Sequence, residues 1–400
     1  MFKMLEKASI WNLLMLFQLV DFFIVSRISG ISIYLHDIVF VVFIICLIIF
    51  DNAKVKFNLR VIFFTGIYFL YSFIVTSFLI IMGTKLTYIS YLYIIKEIIY
   101  ITVFFIITRS FNSNFRVSSK ILIALIAVNI VYGVYLTISG NIAHYGIGSI
   151  ITTSPSQCGI IYFTCMVISL IYFVNTQKRL YLILTLISIV LTAFTISRTS
   201  IIGVLVFFSI YIFTKMLLSI NKRFQLRKLK YNIYIILASV ALIICFINFN
   251  NNSFENNLVQ RIMNRMGYIS KSVTTRMDIS KSYYSNIIGD STIKLLFGQG
   301  KAIPEITQNK DTLGVDNQFV RLIIETGIIG SLLWIIMIFN WIMHLIKRLE
   351  VKNSIILLSF VGAFFVMGLG YEVFQVTKAG ISFWLILAIL YSYNNKRLLE

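Results

Sequence analysis

Acidic residues and histidine are scarce in this chain. Only 15 of 400 residues are Asp or Glu and only three are His. No H-E-x-x-H run occurs, and no acidic pair of the D-x-D type stands at a boundary between apolar runs, so no metal site is legible. No G-x-S-x-G elbow occurs either. Gly298-Gln-Gly300 lacks the third glycine of a dinucleotide loop and follows no α/β pattern. The four cysteines, Cys46, Cys158, Cys165 and Cys245, sit in apolar runs at no metal-like spacing. They read as small buried hydrophobes and exclude a disulfide framework. There is no tandem repeat and no low-complexity tail.

What the chain has in abundance is hydrocarbon. It is 59% hydrophobic, with a mean hydropathy of +0.90, whereas soluble domains are about 45–50% apolar. A soluble core cannot hide that much apolar surface, so much of the solvent must be lipid. The net charge of +20 on a soluble protein would suggest nucleic acid. Here the preference of membrane proteins for cytoplasmic Lys and Arg accounts for it, and no nucleic-acid partner is expected.

Apolar runs fall at 9–25, 31–50, 61–83, 87–108, 120–139, 157–174, 180–196, 199–218, 231–248, 319–346, 354–370 and 379–394. Each approaches the roughly 20 residues needed to cross a bilayer. The expected fold is therefore all-α: a polytopic integral membrane protein of about 12 transmembrane helices, forming one domain over 1–400. The first run has a basic start, no A-x-A-like cleavage site and a span directly behind it, so it reads as a retained helix. With both termini in the cytoplasm, the inside segments carry 21 Lys and Arg and the short outside joins carry five: Arg27, Lys85, Arg198, Arg321 and Lys378. That bias fits an even number of spans. It places the polar stretch 249–317, between spans nine and ten, outside as one large extracytoplasmic loop.

The candidate chemistry gathers on that outer face. Arg198 stands in the hairpin 196–199, too short to carry its guanidinium away from the bundle, and ionisable groups in membrane segments are functional candidates. Arg276 is a loop cation. Arg261 and Arg265 are an i, i+4 pair in an amphipathic stretch with Leu258, Ile262, Met266 and Ile269, which predicts short helices lying on the membrane surface. A helix starting near Asp316, with Asp316 as its cap, puts Asn317, Arg321 and Glu325 on one face. That stripe is either a self-neutralising Arg321–Glu325 pair at the headgroups or a polar wall facing a substrate cavity. Gly327 and Gly330 suit close helix packing. Lys96 and Glu97, about 100° apart on the fourth span, need separate partners. Tyr371, Glu372, Gln375 and Lys378 form another outer polar cluster, and His36-Asp37 and His144 are also expected outside. A cationic outer site without a metal suits a diphosphate, which Arg binds through paired, charge-assisted hydrogen bonds.

Three segments in order resemble the O-antigen polymerase and O-antigen ligase superfamily of bacterial envelope polysaccharide enzymes. They are Ser197-Arg-Thr-Ser200 opening a glycine-containing span, Arg276 followed about 20 residues later by Phe297-Gly-Gln-Gly300, and Asp316-Asn-Gln-Phe followed by Glu325-Thr-Gly-Ile-Ile-Gly330. The resemblance covers roughly 150–340. It implies a multi-pass glycosyltransferase of the bacterial cytoplasmic membrane, metal-independent and without a cofactor. Its donor would be a polyprenyl-diphosphate-linked oligosaccharide, attacked with inversion by a sugar hydroxyl of the acceptor. Arg198 and Arg276 would hold the diphosphate. Arg261, Arg265, Asn317, Arg321, Glu325 and Glu372 are the substrate-binding candidates. Ligases of the group show His before the Asn of the third motif. Asp316 stands there instead, a carboxylate able to accept the hydroxyl proton, and this favours a polymerase of repeat units. Membrane lipids are the surroundings, and the reading leaves a place for a chain-length regulator protein as a partner. The alternatives are a ligase and a polysaccharide-lipid flippase. The long single loop and the absence of visible half-to-half symmetry weigh against the flippase.

Overall fold

The computed structural model describes residues 2–23, 35–50, 59–83, 89–138, 155–195, 197–220, 292–303 and 317–397. The ninth apolar run, 231–248, and most of the loop 249–317 lie outside the described residues, as does the amphipathic stretch around Ile262. Every element among the described residues is a helix. In chain order these are α1 (Phe2–Phe23), α2 (Leu35–Phe50), α3 (Leu59–Ile81), α4 (Ile89–Ser113), α5 (Phe115–Ile138), α6 (Pro155–Thr176), α7 (Arg179–Phe194), α8 (Arg198–Ile220), the short α9 (Thr292–Phe297), α10 (Gln318–Ile346), α11 (Val351–Gly368) and α12 (Thr377–Arg397). All but α9 fall on an expected apolar run.

Seven of these helices are long and apolar enough to cross a membrane: α3, α4, α5, α6, α8, α10 and α11. Shorter apolar stretches lie in α1, α2 and α7. The surface confirms what the bundle is built for. Phe63, Phe73 and Phe78 of α3 and Phe213 of α8 are exposed, a pattern that water penalises and lipid accepts. The helix is the natural element here because it satisfies its own backbone polar groups where no water can.

The helices sort into centre and edge. In α6 and α12 almost every residue is buried, while α3 and α8 bury only one face. Around α12 stand α4 and α6; α3 packs on α10, α8 on α11, and α1 on α2, α4 and α5. Aromatic edges join the layers. Trp341 of α10 lies 4.9 Å from Phe104 of α4 and 5.0 Å from Trp384 of α12, centroid to centroid. Phe374, in the turn before α12, lies 4.8 Å from Trp334 and 4.9 Å from Phe383.

Local signals explain several ends. Pro155 is the first residue of α6, where its missing N–H costs nothing. The hairpin between α7 and α8 is as tight as the sequence requires, leaving only 195–197 between the helices. The cap of α10 corrects an expectation. It is Asn317, not Asp316: the Asn317 side-chain oxygen accepts from the N–H groups of Phe319 at 2.9 Å and Val320 at 3.2 Å. The helix begins one residue later than the acidic side chain suggested, because an extended Asn317 (φ −95, ψ 115) brings its amide oxygen over both free donors.

Candidate functional site

The site begins with a broken helix. Gly327, inside α10, has φ 68 and ψ −175, a conformation open in practice only to glycine. The break prevents the carbonyls before it from bonding to N–H groups four residues on. Buried acceptors left bare would cost roughly 1–3 kcal/mol each. Their donors come from the segment after α9. Gln299 N–H donates to the Ile324 carbonyl at 2.8 Å and Gly300 N–H to the Glu325 carbonyl at 2.9 Å. The Tyr71 hydroxyl, from α3, donates to the Thr326 carbonyl at 3.0 Å. Gly298, with φ 83, makes this possible. A Cβ there would sit 2.5 Å from the Glu325 carbonyl oxygen and from Gly327 N. The glycine pair 298/300 and Gly327, far apart in sequence, are thus two halves of one backbone joint. The expectation of simple close packing at Gly327 gives way to this joint, while Gly330 does face the Tyr71 ring closely.

Lys301, next in the chain, enters the bundle with 1% of its side chain exposed. Its ammonium lies 2.6 Å from Glu97 Oε1 in α4 and 3.3 Å from Glu325 Oε2 in α10. It also lies 3.1 Å from the Tyr68 hydroxyl in α3. Tyr68 in turn donates to Glu97 Oε2 at 2.9 Å. Burial pulls the lysine toward neutrality, but Glu97, Tyr68 and Glu325 outweigh it and hold its pKa well above the ordinary 10.5.

Glu325 is the hub. Its Oε1 accepts from Arg321 Nε at 3.0 Å and from the Ala302 N–H at 3.2 Å. Its Oε2 accepts from Gln375 Nε2 at 2.7 Å. Arg321 then reaches outward, Nη1 to Glu372 Oε2 at 2.6 Å. Charges alternate along a line: Glu97, Lys301, Glu325, Arg321, Glu372. The inner three members are buried, and the end carboxylates are 16% and 17% exposed. Ala302 holds φ 62, an uncommon left-handed state for a residue with a Cβ, to aim its N–H at Glu325.

The other polar groups expected on the outer face crowd the same end. Arg321 faces the Tyr93 ring at 5.9 Å, and Lys96 Nζ lies 5.7 Å from that ring and 6.0 Å from that of Tyr100. Lys96 and Glu97 do take separate partners. Gln318 Oε1 accepts from Phe374 N at 3.1 Å, pinning the turn that carries Glu372 to the start of α10. Arg198 is the first residue of α8. The Ser197 oxygen before it approaches Ser200 N at 3.4 Å and Ser200 Oγ at 3.0 Å. This turn is buried against α6, and Thr199 Oγ1 lies 3.7 Å from where a Cβ would stand on Gly370, two residues before Glu372.

Of the expected site residues, the structure brings Arg321, Glu325 and Glu372 into direct contact and sets Arg198 at the same end of the bundle. Asn317 is nearby, but its oxygen is used in capping. Arg261, Arg265, Arg276 and Asp316 lie outside the described residues. The Arg321–Glu325 pair is no headgroup pair: both side chains are buried in protein. Lys301 and Tyr68 were not anticipated. A lysine after a glycine pair looks like a solvated loop cation, and only the carbonyls freed at Gly327 reveal why this segment enters the bundle. No protein-family model matches this chain, and no curated protein sequence matches it.

Proposed function

We propose that the protein is a polymerase of polysaccharide repeat units in the bacterial cytoplasmic membrane, with twelve crossings and its site on the outer face. The reading rests on the resemblance of three sequence segments. One observation supports it most: the described parts of those segments are spatial neighbours. Phe297-Gly-Gln-Gly300 docks on Glu325-Thr-Gly327, and the Ser197–Ser200 turn adjoins the turn that pairs with Arg321. Arg198 would hold the donor diphosphate and stabilise the charge it gains as the glycosidic bond breaks. Arg276 would join it from the loop.

The test uses cells lacking the gene, complemented with variants. Arg198→Ala and Arg276→Ala should reach the membrane at normal levels yet yield no long polymer. The loss should be about 10²–10³ in rate, with single repeat units still made. Arg198→Lys should rescue poorly, because lysine lacks the planar fork. Normal polymer from either Ala variant would sink the assignment.

A flippase is the second reading, and the break at Gly327 beside buried charges favours it, since transporters place discontinuous helices at their substrate sites. Among the described residues this is the one helix interrupted in this way. Loss of single repeats from the outer leaflet in the Arg198→Ala cells would decide for the flippase.

A further inference from the structure

The sequence puts 292–303 near the end of a polar loop, yet its contacts lie well below the helix ends on that side of the bundle. Three helices agree on the depth. Tyr71, whose hydroxyl stands 3.4 Å from the Phe297 carbonyl, is ten residues before the last residue of α3, Ile81. Glu97, the partner of Lys301, is eight residues beyond the first residue of α4, Ile89. Glu325, whose carbonyl accepts from Gly300 N–H, is seven residues beyond the first residue of α10, Gln318. At 1.5 Å per residue these positions are about 10–15 Å from the helix ends. The three helices have 23, 25 and 29 residues, so they run about 35–44 Å through a hydrocarbon core of about 30 Å. With the excess shared between both ends, the tip of 292–303 stands inside the near half of that core.

Irregular backbone at such a depth needs its partners in protein, because lipid supplies none. This segment has them. Gly298 N–H donates to the Lys294 carbonyl at 2.8 Å, and Gln299 and Gly300 N–H donate to carbonyls of α10. Ala302 N–H goes to Glu325 Oε1, and the Lys301 ammonium is neutralised by Glu97 and Glu325. The side chains of α9 make the second observation. None of its residues is buried, and Ile293 is 68% exposed, Phe297 43% and Leu296 38%. The bundle beside α9 is bare and apolar too. Phe78 stands two turns from Tyr71 on the same face of α3, and Ile328 directly follows the break in α10. Both are exposed, as are Ile74 and Leu332. The apolar side of α9 is therefore continuous with the lipid-facing surfaces of α3 and α10, and hydrocarbon removes a cost that water would impose. The one charged residue of α9 is Lys294, whose long stem carries an ammonium toward headgroups.

We propose that 292–303 is a re-entrant arm that dips into one leaflet of the membrane, with Ile293, Leu296 and Phe297 in contact with the hydrocarbon chains of membrane lipid. In the topology proposed above this is the outer leaflet. The arm enters and leaves on one face, so it adds no crossing and leaves the Lys and Arg bias as it stands. Lipid then reaches the flank of the break at Gly327, and the first buried charge, Lys301, follows directly on the Gly298–Gly300 tip. Such an arm serves a polymerase and a flippase equally and does not depend on the polymerase reading.

The experiment uses full-length protein in vesicles of phosphatidylethanolamine and phosphatidylglycerol. A nitroxide is attached to Ile293→Cys, Leu296→Cys or Phe297→Cys, each in a chain whose own four cysteines are replaced by alanine. Relaxation by oxygen, which concentrates in hydrocarbon, is compared with relaxation by a nickel chelate, which stays in water. Phe78→Cys is the lipid control. Lys178→Cys, exposed between α6 and α7, is the water control. Oxygen should be the stronger relaxant at all three positions, as at Phe78→Cys, and nickel the stronger at Lys178→Cys. Nickel as the stronger relaxant at any of the three positions overturns the arm. Wild type gives a second readout free of substitutions. A carbene reagent dissolved in the bilayer should label the peptide containing 292–297 as it labels α3. A labelled α3 beside an unlabelled 292–297 also overturns the arm. Neither readout involves polymer, so failure of the polymerase reading leaves both outcomes unchanged.

Discussion

Lys301 Nζ stands 2.6 Å from Glu97 Oε1 although 204 residues separate them. The contact ties the segment after α9 to α4 through charge, inside protein. Removing one member of such a pair strands the other. Lys301→Met should destabilise the protein by about 3–5 kcal/mol, read as a lower thermal midpoint in detergent. Adding Glu97→Gln to Lys301→Met should recover about 0.5–3 kcal/mol of that loss. Additive losses would mean that the two groups do not share an interaction.

The same lysine makes a statement about pH. Its folded pKa lies above the ordinary 10.5, so its contribution to stability is fully present below that value. The contribution is lost only as pH rises through the folded value. Between pH 6 and about 10 the thermal midpoint should show no fall that Lys301→Met abolishes. Such a fall would place the lysine pKa below its ordinary value.

The glycine joint predicts a contrast among alanine substitutions. At Gly327 a Cβ would meet the Leu296 carbonyl, and at Gly298 the Glu325 carbonyl. Backbone cannot step aside, so either Ala variant should undock 298–300 and strip the Ile324 and Glu325 carbonyls of their donors, at roughly 1–3 kcal/mol each. Gly66, in α3, has nothing within 4 Å of such a Cβ. Gly66→Ala should be neutral or stabilising by about 0.5–1 kcal/mol. Thermal unfolding of the three purified variants checks this, and an unchanged Gly327→Ala would remove the joint.

Topology is checked by reporter fusions. A fusion at Gln225 should score cytoplasmic and one at Asn286 external, as the Lys and Arg bias requires. The reverse pattern would put the site on the wrong face for a lipid-linked donor presented outside.

The helices were legible because apolar length is a local property: each described span coincides with an expected run, and the 195–197 hairpin follows from spacing alone. The Arg321–Glu325 pair was legible for the same reason, as an i, i+4 neighbour on one helix. Lys301, Tyr68 and the role of Gly327 were not. They depend on a segment near residue 300 folding into α3, α4 and α10, and no local pattern encodes a contact across 204 residues. The cap moved from Asp316 to Asn317 because both side chains suit the position, and backbone direction decided between them.

The broken helix also imposes an order on manufacture. A chain leaves the ribosome N-terminus first, so Gln299 and Gly300 exist before the carbonyls of Ile324 and Glu325 that they serve. Tyr68, Tyr71 and Glu97 are older still. When α10 enters the bilayer, every partner of its break is already in place. The side chains of Arg321 and Glu325 must wait, since Glu372 and Gln375 arrive about fifty residues later in synthesis. Until the turn before α12 is made, one arm of a buried guanidinium lacks its carboxylate. The closing of that turn is then the last step of assembly, and a nascent chain stalled just after α11 should be the form that quality-control proteases recognise.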